Sequence, residues 1–413
     1  MTTVTSLDIA ALRDTFPALS RRAVDDAPVV YADAPGGTQV PQSVVAAMAD
    51  YLIHHNSNIE GEFAATRETD AIIAAARIDA GHFVGGSPEG IAFGQNMTTL
   101  NFSISRAIGR SLQSGDHLVV TRLDHDANVS PWLLLAQDLG LQVSVVGLTA
   151  DLDIDLDELR EVLTPRTRVV AYTLSSNAVG TLTRGREIAD LAHSVGSIAV
   201  ADAVAYAPHR RIDVAALDCD VLLCSPYKFF GPHLGIAWIR PALASTLSPD
   251  RVRPAGLEPL GHRFETGTLS HEAITGFRAA VAYIAALGEG ADLSAALDSA
   301  YAAIGEHERS LAATFLDGVR AVDGITVLGA QGIEDRVCTF GLMIEGVSPQ
   351  RAAQLLDDRG IYAWNGNFYA QGVMESLGLP LDDGILRLGF AHYATSEEID
   401  RCVEALAEIA RGR

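Results

Sequence analysis

A chain of 413 residues is longer than one hydrophobic core usually spans, so two domains are expected, and 48% apolar with 20% charged content is ordinary globular composition. A net charge of -22 excludes partners that demand a basic face, nucleic acid and anionic membrane surfaces among them. No apolar run is long enough to cross a bilayer, and residues 1–8 show no basic-then-apolar leader, so a cytoplasmic enzyme is expected.

Helical apolar spacing covers residues 7–19, limited by Pro17. Residues 29–37 are extended and end in Pro35-Gly36-Gly37, either a close backbone approach to a ligand or an ordinary turn. A helix over 41–53 leads into a polar loop, 54–61, where the neighbours His54 and His55 point to metal too weakly for a metal site to be expected. From residue 68 onward helical and extended segments alternate, as in a doubly wound or mixed sheet with crossover helices. Strands are expected at 90–93, 117–121, 142–146, 168–174, 197–201, 221–224 and 235–240, with helices at 100–112, 131–139, 155–163 and 185–195. This predicts a large α/β domain over 22–267.

Residues 272–287 and 299–322 read as helices, 326–328 and 339–344 as strands. Ser348-Pro349 caps and opens a helix that Gly360 ends, and the capping box Thr395-Ser396-Glu397-Glu398 starts a last helix to about residue 410. Residues 1–21 and 268–413 are expected to form a smaller α+β domain. The cysteines Cys219, Cys224, Cys338 and Cys402 make neither a CxxC pair nor a regular disulfide spacing, and Cys224 reads as a small core residue.

The residue most out of place is Lys228, in Cys224-Ser225-Pro226-Tyr227-Lys228-Phe229-Phe230-Gly231-Pro232. An apolar strand delivers it into a turn, and burying an ammonium is costly unless the amine is neutral, paired or covalently used. The expectation is that Lys228 holds pyridoxal phosphate (PLP) as a Schiff base. Asp202 closes the preceding strand, where a carboxylate can pair with a protonated pyridine nitrogen or simply shape a turn. His125 follows another strand and can stack on a flat ring, transfer protons or be structural. Asn96 and Thr98, at the start of a helix, suit a phosphate cradle or plain capping. Asn177 follows the strand 168–174 and suits a hydrogen bond to a phenolic oxygen or a turn. Arg387 interrupts an apolar extended run, so it needs an anion, a substrate carboxylate or an internal Asp or Glu.

Asp124-His125-Asp126-Ala127-Asn128, Ser176-Asn177-Ala178-Val179-Gly180-Thr181, Asp202 followed by Ser225-Pro226-Tyr227-Lys228, Phe264-Glu265-Thr266-Gly267-Thr268, and Arg387 with His392-Tyr393 occur in an order and spacing that resembles the class V aminotransferase family, in its cysteine desulfurase-like branch. The resemblance implies a fold-type I PLP-dependent transferase, its large domain built on a mostly parallel seven-stranded sheet, usually a homodimer with sites at the subunit interface. It implies that Lys228 is the Schiff-base lysine, Asp202 the pyridine-nitrogen partner and His125 the stacking imidazole. Asn96, the Met97 backbone and Ser225 would hold the phosphate, joined by Thr268 of the neighbouring subunit, and Arg387 would bind the substrate α-carboxylate.

Three departures bear on function. The loop that carries a sulfur-accepting cysteine in desulfurases corresponds to residues 364–371, which contain none, and Tyr369 stands at that position. Ala205 replaces a glutamine that would contact the cofactor's phenolic oxygen. Tyr227 replaces the histidine before the lysine, and its hydroxyl can still reach the phosphate. The expected function is PLP-dependent chemistry at Cα and Cβ of a small-molecule amino acid or cysteine S-conjugate, first of all β-elimination by a carbon–sulfur lyase. Decarboxylation with oxidative deamination, transamination and epimerisation use the same lysine and ring. Cysteine desulfurization, or a PLP-binding protein without turnover, ranks behind them.

Overall fold

Short apolar runs rich in Val, Ile, Leu and Ala, too short for helices and apolar on both faces, are what a sheet covered on both sides requires. The computed structural model of the chain describes residues 7–23 and 26–412; residues 1–6, read above for a leader, lie outside it. In chain order the strands are β1 (Val30–Tyr31), β2 (Ile91–Gly94), β3 (His117–Thr121), β4 (Gln142–Val146), β5 (Thr167–Thr173), β6 (Ile198–Asp202), β7 (Val221–Cys224), β8 (Gly235–Ile239), β9 (Ile325–Leu328), β10 (Thr339–Ile344), β11 (Ile361–Tyr362), β12 (Trp364–Gly366) and β13 (Ile385–Gly389).

Seven of them form the expected sheet in the order β2-β8-β7-β6-β5-β3-β4, in which only β8 runs antiparallel to its neighbours. Alternation along each strand sends side chains to opposite faces. Val170 and Tyr172 enter one core cluster with Ala199, Ala201 and Leu222, whereas Val169 and Ala171 enter another with Val200, Val221 and Leu223. Parallel neighbours need crossovers, and the helices Ser130–Leu139, Leu156–Val162 and Gly185–Ser194 supply them. All the parallel strands therefore end along one edge of the sheet.

A second, four-stranded antiparallel sheet has the order β12-β13-β10-β9 and packs its apolar side on Leu311, Phe315, Leu356, Ile399 and Leu406 from three helices. β1 pairs in parallel with β11, tying the N-terminal segment to this unit. Ser348 caps Pro349–Asp357, and Thr395 and Glu398 form the predicted capping box at Ser396–Ala410.

Several boundaries differ from those predicted. The helix expected over 7–19 covers only Ile9–Arg13, followed by a 3-10 turn at Pro17–Ser20, because Pro17 has no N–H to continue the ladder. The helix expected over 41–53 ends at Asp50 and widens into a π turn, Tyr51–His55, where His54 pairs with Asp50 at 2.9 Å and His55 with Glu68 at 2.7 Å. Leu293–Arg320 starts well before residue 299, because Asp292 accepts from the Ala295 N–H and caps it there. The structure adds the helices Ala64–Val84 and Gln371–Ser376, and turns the first residues of the 364–371 loop into the edge strand β12. Among the described residues no helix is long and apolar enough to cross a membrane.

Candidate active site

Four neighbouring parallel strands each release a polar residue at the same edge: His125 after β3, Asn177 after β5, Asp202 at the end of β6 and Lys228 after β7. Ligands in open α/β sheets bind outside these carboxyl ends. A cavity of about 290 Å³ lies there, walled by those four residues together with Asn96, Met97, Thr98, Ser225, Tyr227, Tyr369 and Arg387. Ala205 lines it too.

The Lys228 side chain is held in the cavity by a hydrogen bond from Nζ to the Pro35 carbonyl. Burial, helped by the charge of Arg387 and opposed by Asp202, brings its amine down to about 7. A good share of it is thus neutral near neutral pH. Asp202 is 3% exposed, and its Oδ1 accepts from the Val204 N–H at 2.8 Å. Burial raises its carboxyl to about 6, against that hydrogen bond and the nearby Lys228.

His125 accepts the Ala127 N–H on Nδ1 at 3.0 Å, which leaves Nε2 to carry the proton of the neutral ring. Burial and the positive charge of Lys228 push it down to about 4, so that neutral form holds above mildly acidic pH. Its ring centre is 5.4 Å from that of Tyr369. Asn96 caps the helix Met97–Gly109 by accepting from the Thr99 N–H at 2.9 Å, and the Met97 N–H donates to the Ser225 hydroxyl at 3.2 Å. Gly235 makes this arrangement sterically accessible: a side chain there would meet the Asn96 carbonyl carbon at 2.3 Å. The cavity wall thus receives the positive end of a helix dipole.

Arg387, in β13, is 4% exposed and reaches across from the second sheet. Its Nη1 donates to the Asn177 carbonyl at 2.8 Å, and its Nε finds no partner among the described residues. No carboxylate pairs with it among the described residues, although Asp33 acts on it at longer range. Burial lowers it to about 9, which leaves it a cation at neutral pH. The Asn177 amide donates to the Phe368 carbonyl at 2.9 Å, and its Oδ1 is buried without a partner. The Tyr227 ring stacks on His233 with centres 5.1 Å apart.

Thr268 is the one predicted residue that the fold leaves out of this cavity. It lines a different cleft, beside Arg77, Glu265 and His271. Conversely, Gly36, Thr173, Ser175 and Phe368 line the cavity without having been singled out individually. Thr173 and Ser175 flank the end of β5, so their strand-end position was a usable signal. Nothing in the sequence marks the Pro35 carbonyl or the Phe368 ring as contacts of Lys228 and Arg387.

A protein of Mycobacterium leprae named "Probable cysteine desulfurase 2" is 30% identical over 97% of this chain and 96% of its own length. The "Aminotransferase-like protein FGM3" of Gibberella zeae is 32% identical over 97% of this chain and 98% of its own. The apo structure of a cysteine desulfurase from Thermococcus onnurineus superposes with a TM-score of 0.88 at 24% identity, both chains being covered in full. The Escherichia coli cysteine desulfurase CsdA superposes with a TM-score of 0.83 at 26% identity, with 99% of each chain covered. The family profile described as Aminotransferase class-V matches residues 30–402, and with relatives alike along nearly their whole length this chain belongs to the class-V aminotransferases, which are pyridoxal 5'-phosphate-dependent enzymes.

Proposed function

We propose that this enzyme is a carbon–sulfur lyase acting by β-elimination on cysteine or a cysteine S-conjugate. The observation that carries the reading is the seclusion of every thiol. Cys219, Cys224, Cys338 and Cys402 are all free and buried, none lines the cavity, and burial pushes every one of these thiols well above the ordinary thiol range, Cys219 up to about 12. Only a thiolate takes up sulfur readily, so a persulfide has no acceptor at this site. The names of the relatives support a sulfur-bearing substrate, and Tyr369, 67% exposed at the cavity wall, supports release of sulfur to solvent.

The residues present fit the cofactor. The orphaned Asn177 Oδ1, the secluded Lys228 amine, the Asp202 carboxylate and the helix N-terminus at Met97 face one cavity. Lys228 would carry it, Asp202 would hold its ring nitrogen, and His125 and Asn177 would flank its ring. Asn96, Met97, Ser225 and Tyr227 would hold its phosphate. When bound, PLP supplies a sink for the electron pair left at Cα.

Arg387 binds the substrate carboxylate through its free donors, with Tyr369 on the substrate side. Lys228, partly neutral near pH 7, takes the Cα proton. The Cβ–S bond then breaks with its electron pair on sulfur, which is protonated to a thiol. The three-carbon remainder takes up water and gives pyruvate and ammonium. A homodimer, with Thr268 serving the neighbouring copy, and a cytoplasmic setting belong to the same proposal. The position of Thr268 outside its own chain's cavity and four unpaired thiols support them.

The test is product analysis of the purified holoenzyme with S-methyl-L-cysteine. Pyruvate and methanethiol in equal amounts are expected, and both should vanish in Lys228→Ala together with the visible absorption band. Alanine with a protein persulfide, an aldehyde, or a racemised amino acid would each overturn the lyase assignment.

A further inference from the structure

One contact of Arg387 has no part in the chemistry above. Its guanidinium carbon lies 3.8 Å from the centre of the Phe368 ring. An aromatic face attracts a cation through its quadrupole, most strongly where water is excluded, and Arg387 is buried. A ring over the planar guanidinium covers its face and leaves the in-plane N–H donors to form hydrogen bonds. Of these, Nη1 is taken by the Asn177 carbonyl, whereas Nε is unused.

The loop is built to hold the ring there. Phe368 and Tyr369 both have left-handed backbones, with φ of 55° and 56°, an unusual state for residues with side chains. Three hydrogen bonds fix that state. Asn177 Nδ2 donates to the Phe368 carbonyl at 2.9 Å, the Asp126 N–H donates to the Tyr369 carbonyl at 2.7 Å, and the Tyr369 N–H donates to Asn367 Oδ1 at 2.9 Å. Asn177 therefore anchors both partners, the arginine through its carbonyl and the loop through its amide.

We propose that Phe368 is a positioning and specificity residue whose ring clamps the face of Arg387, so that the free edge of the guanidinium selects substrates with an unblocked α-carboxylate. This rests on the reading of Arg387 as the carboxylate-binding group. The ring supplies orientation and excludes water from one side, and the carboxylate takes the opposite, in-plane edge.

The test titrates the holoenzyme with L-alanine, which has no leaving group at Cβ, and with L-alaninamide, which has no carboxylate, reading Kd from the shift of the visible band. Phe368→Ala and Phe368→Leu should each weaken L-alanine about 5- to 30-fold, equivalent to ~1–2 kcal/mol. L-Alaninamide should change by less than about twofold, and Phe368→Tyr should restore L-alanine binding. With S-methyl-L-cysteine the loss should appear in KM rather than kcat. Wild-type affinity for L-alanine in Phe368→Ala or Phe368→Leu, or an equal loss for L-alaninamide, overturns the clamp. Arg387→Ala separates the two readings. If it leaves L-alanine binding intact, the carboxylate assignment fails and the clamp with it; if it abolishes binding while the Phe368 variants are silent, only the clamp fails.

Discussion

Asp124 lies next to His125 in the chain and is 2% exposed, with the Thr121 hydroxyl donating to one carboxyl oxygen and Asn128 Nδ2 donating to the other at 2.7 Å. Burial pushes its carboxyl up to about 8 against those hydrogen bonds, with Asp202 adding to the rise. A folded value above the ordinary 3.8 means that the folded protein keeps a proton that the unfolded chain has lost between about pH 4 and 8. The stabilising contribution is complete below about pH 4 and disappears as pH rises through 8. Asp124→Asn keeps the shape without the titration. As pH rises from 5 to 7 the wild type should therefore lose melting temperature relative to Asp124→Asn, and parallel slopes for the two proteins would show that the folded carboxyl does not keep its proton through that range. In the cofactor-free protein Lys228 has the opposite sign: the unfolded chain holds the extra proton between about 7 and 10.5, so its effect grows above the window compared.

At the scale of elements, the turn after β5 joins the two sheets. Gly180 has φ of +78°, and a side chain there would meet the Thr339 carbonyl oxygen at 2.2 Å, at the start of β10. Gly180→Ala combines left-handed strain with a backbone clash and should destabilise the protein by at least about 2 kcal/mol. Because the same turn carries Asn177, it should also raise KM for carboxylate substrates. Urea midpoints and steady-state kinetics check both, and wild-type values in each would remove the turn from the account. Packing here is continuous across residue 268: His271–Ala285 lies against Gln42–Asp50 and Ala64–Val84, and the early part of Leu293–Arg320 shares their core while its later part joins the second sheet. We propose that the two units meet within that long helix.

On the scale of the whole molecule, the cavity joins the carboxyl edge of one sheet to a side chain of another, and its chemistry is set by what each sheet brings. The first contributes Lys228, Asp202, His125 and Asn177; the second contributes Arg387 and the Phe368–Tyr369 loop. The thiols stay in the cores, with Cys219 and Cys224 in one beside the central sheet's strands and Cys338 and Cys402 in that of the second sheet. Iodoacetamide applied to the native holoenzyme should therefore leave turnover unchanged, and progressive inactivation that parallels thiol labelling would contradict a cysteine-free reaction.

The seven central strands were legible because residues apolar on both faces, in runs too short for helices, have few other ways to be buried. Lys228, Asp202, His125 and Asn177 were legible for a related reason, since a polar residue that ends such a run must emerge at the sheet edge. Helix starts such as Leu293 and the edge strand at Trp364 were read less well, because capping and edge pairing depend on a few local hydrogen bonds rather than on periodicity. The sequence by itself determined the central sheet, the polar residues along its edge and the lack of a cysteine in the loop around Tyr369. Only the tertiary structure decided that Arg387 has no carboxylate partner among the described residues, that Phe368 covers its face and that all four thiols are secluded. Those facts depend on residues far apart in the chain coming together, and no local pattern encodes a contact between Asn177, Phe368 and Arg387.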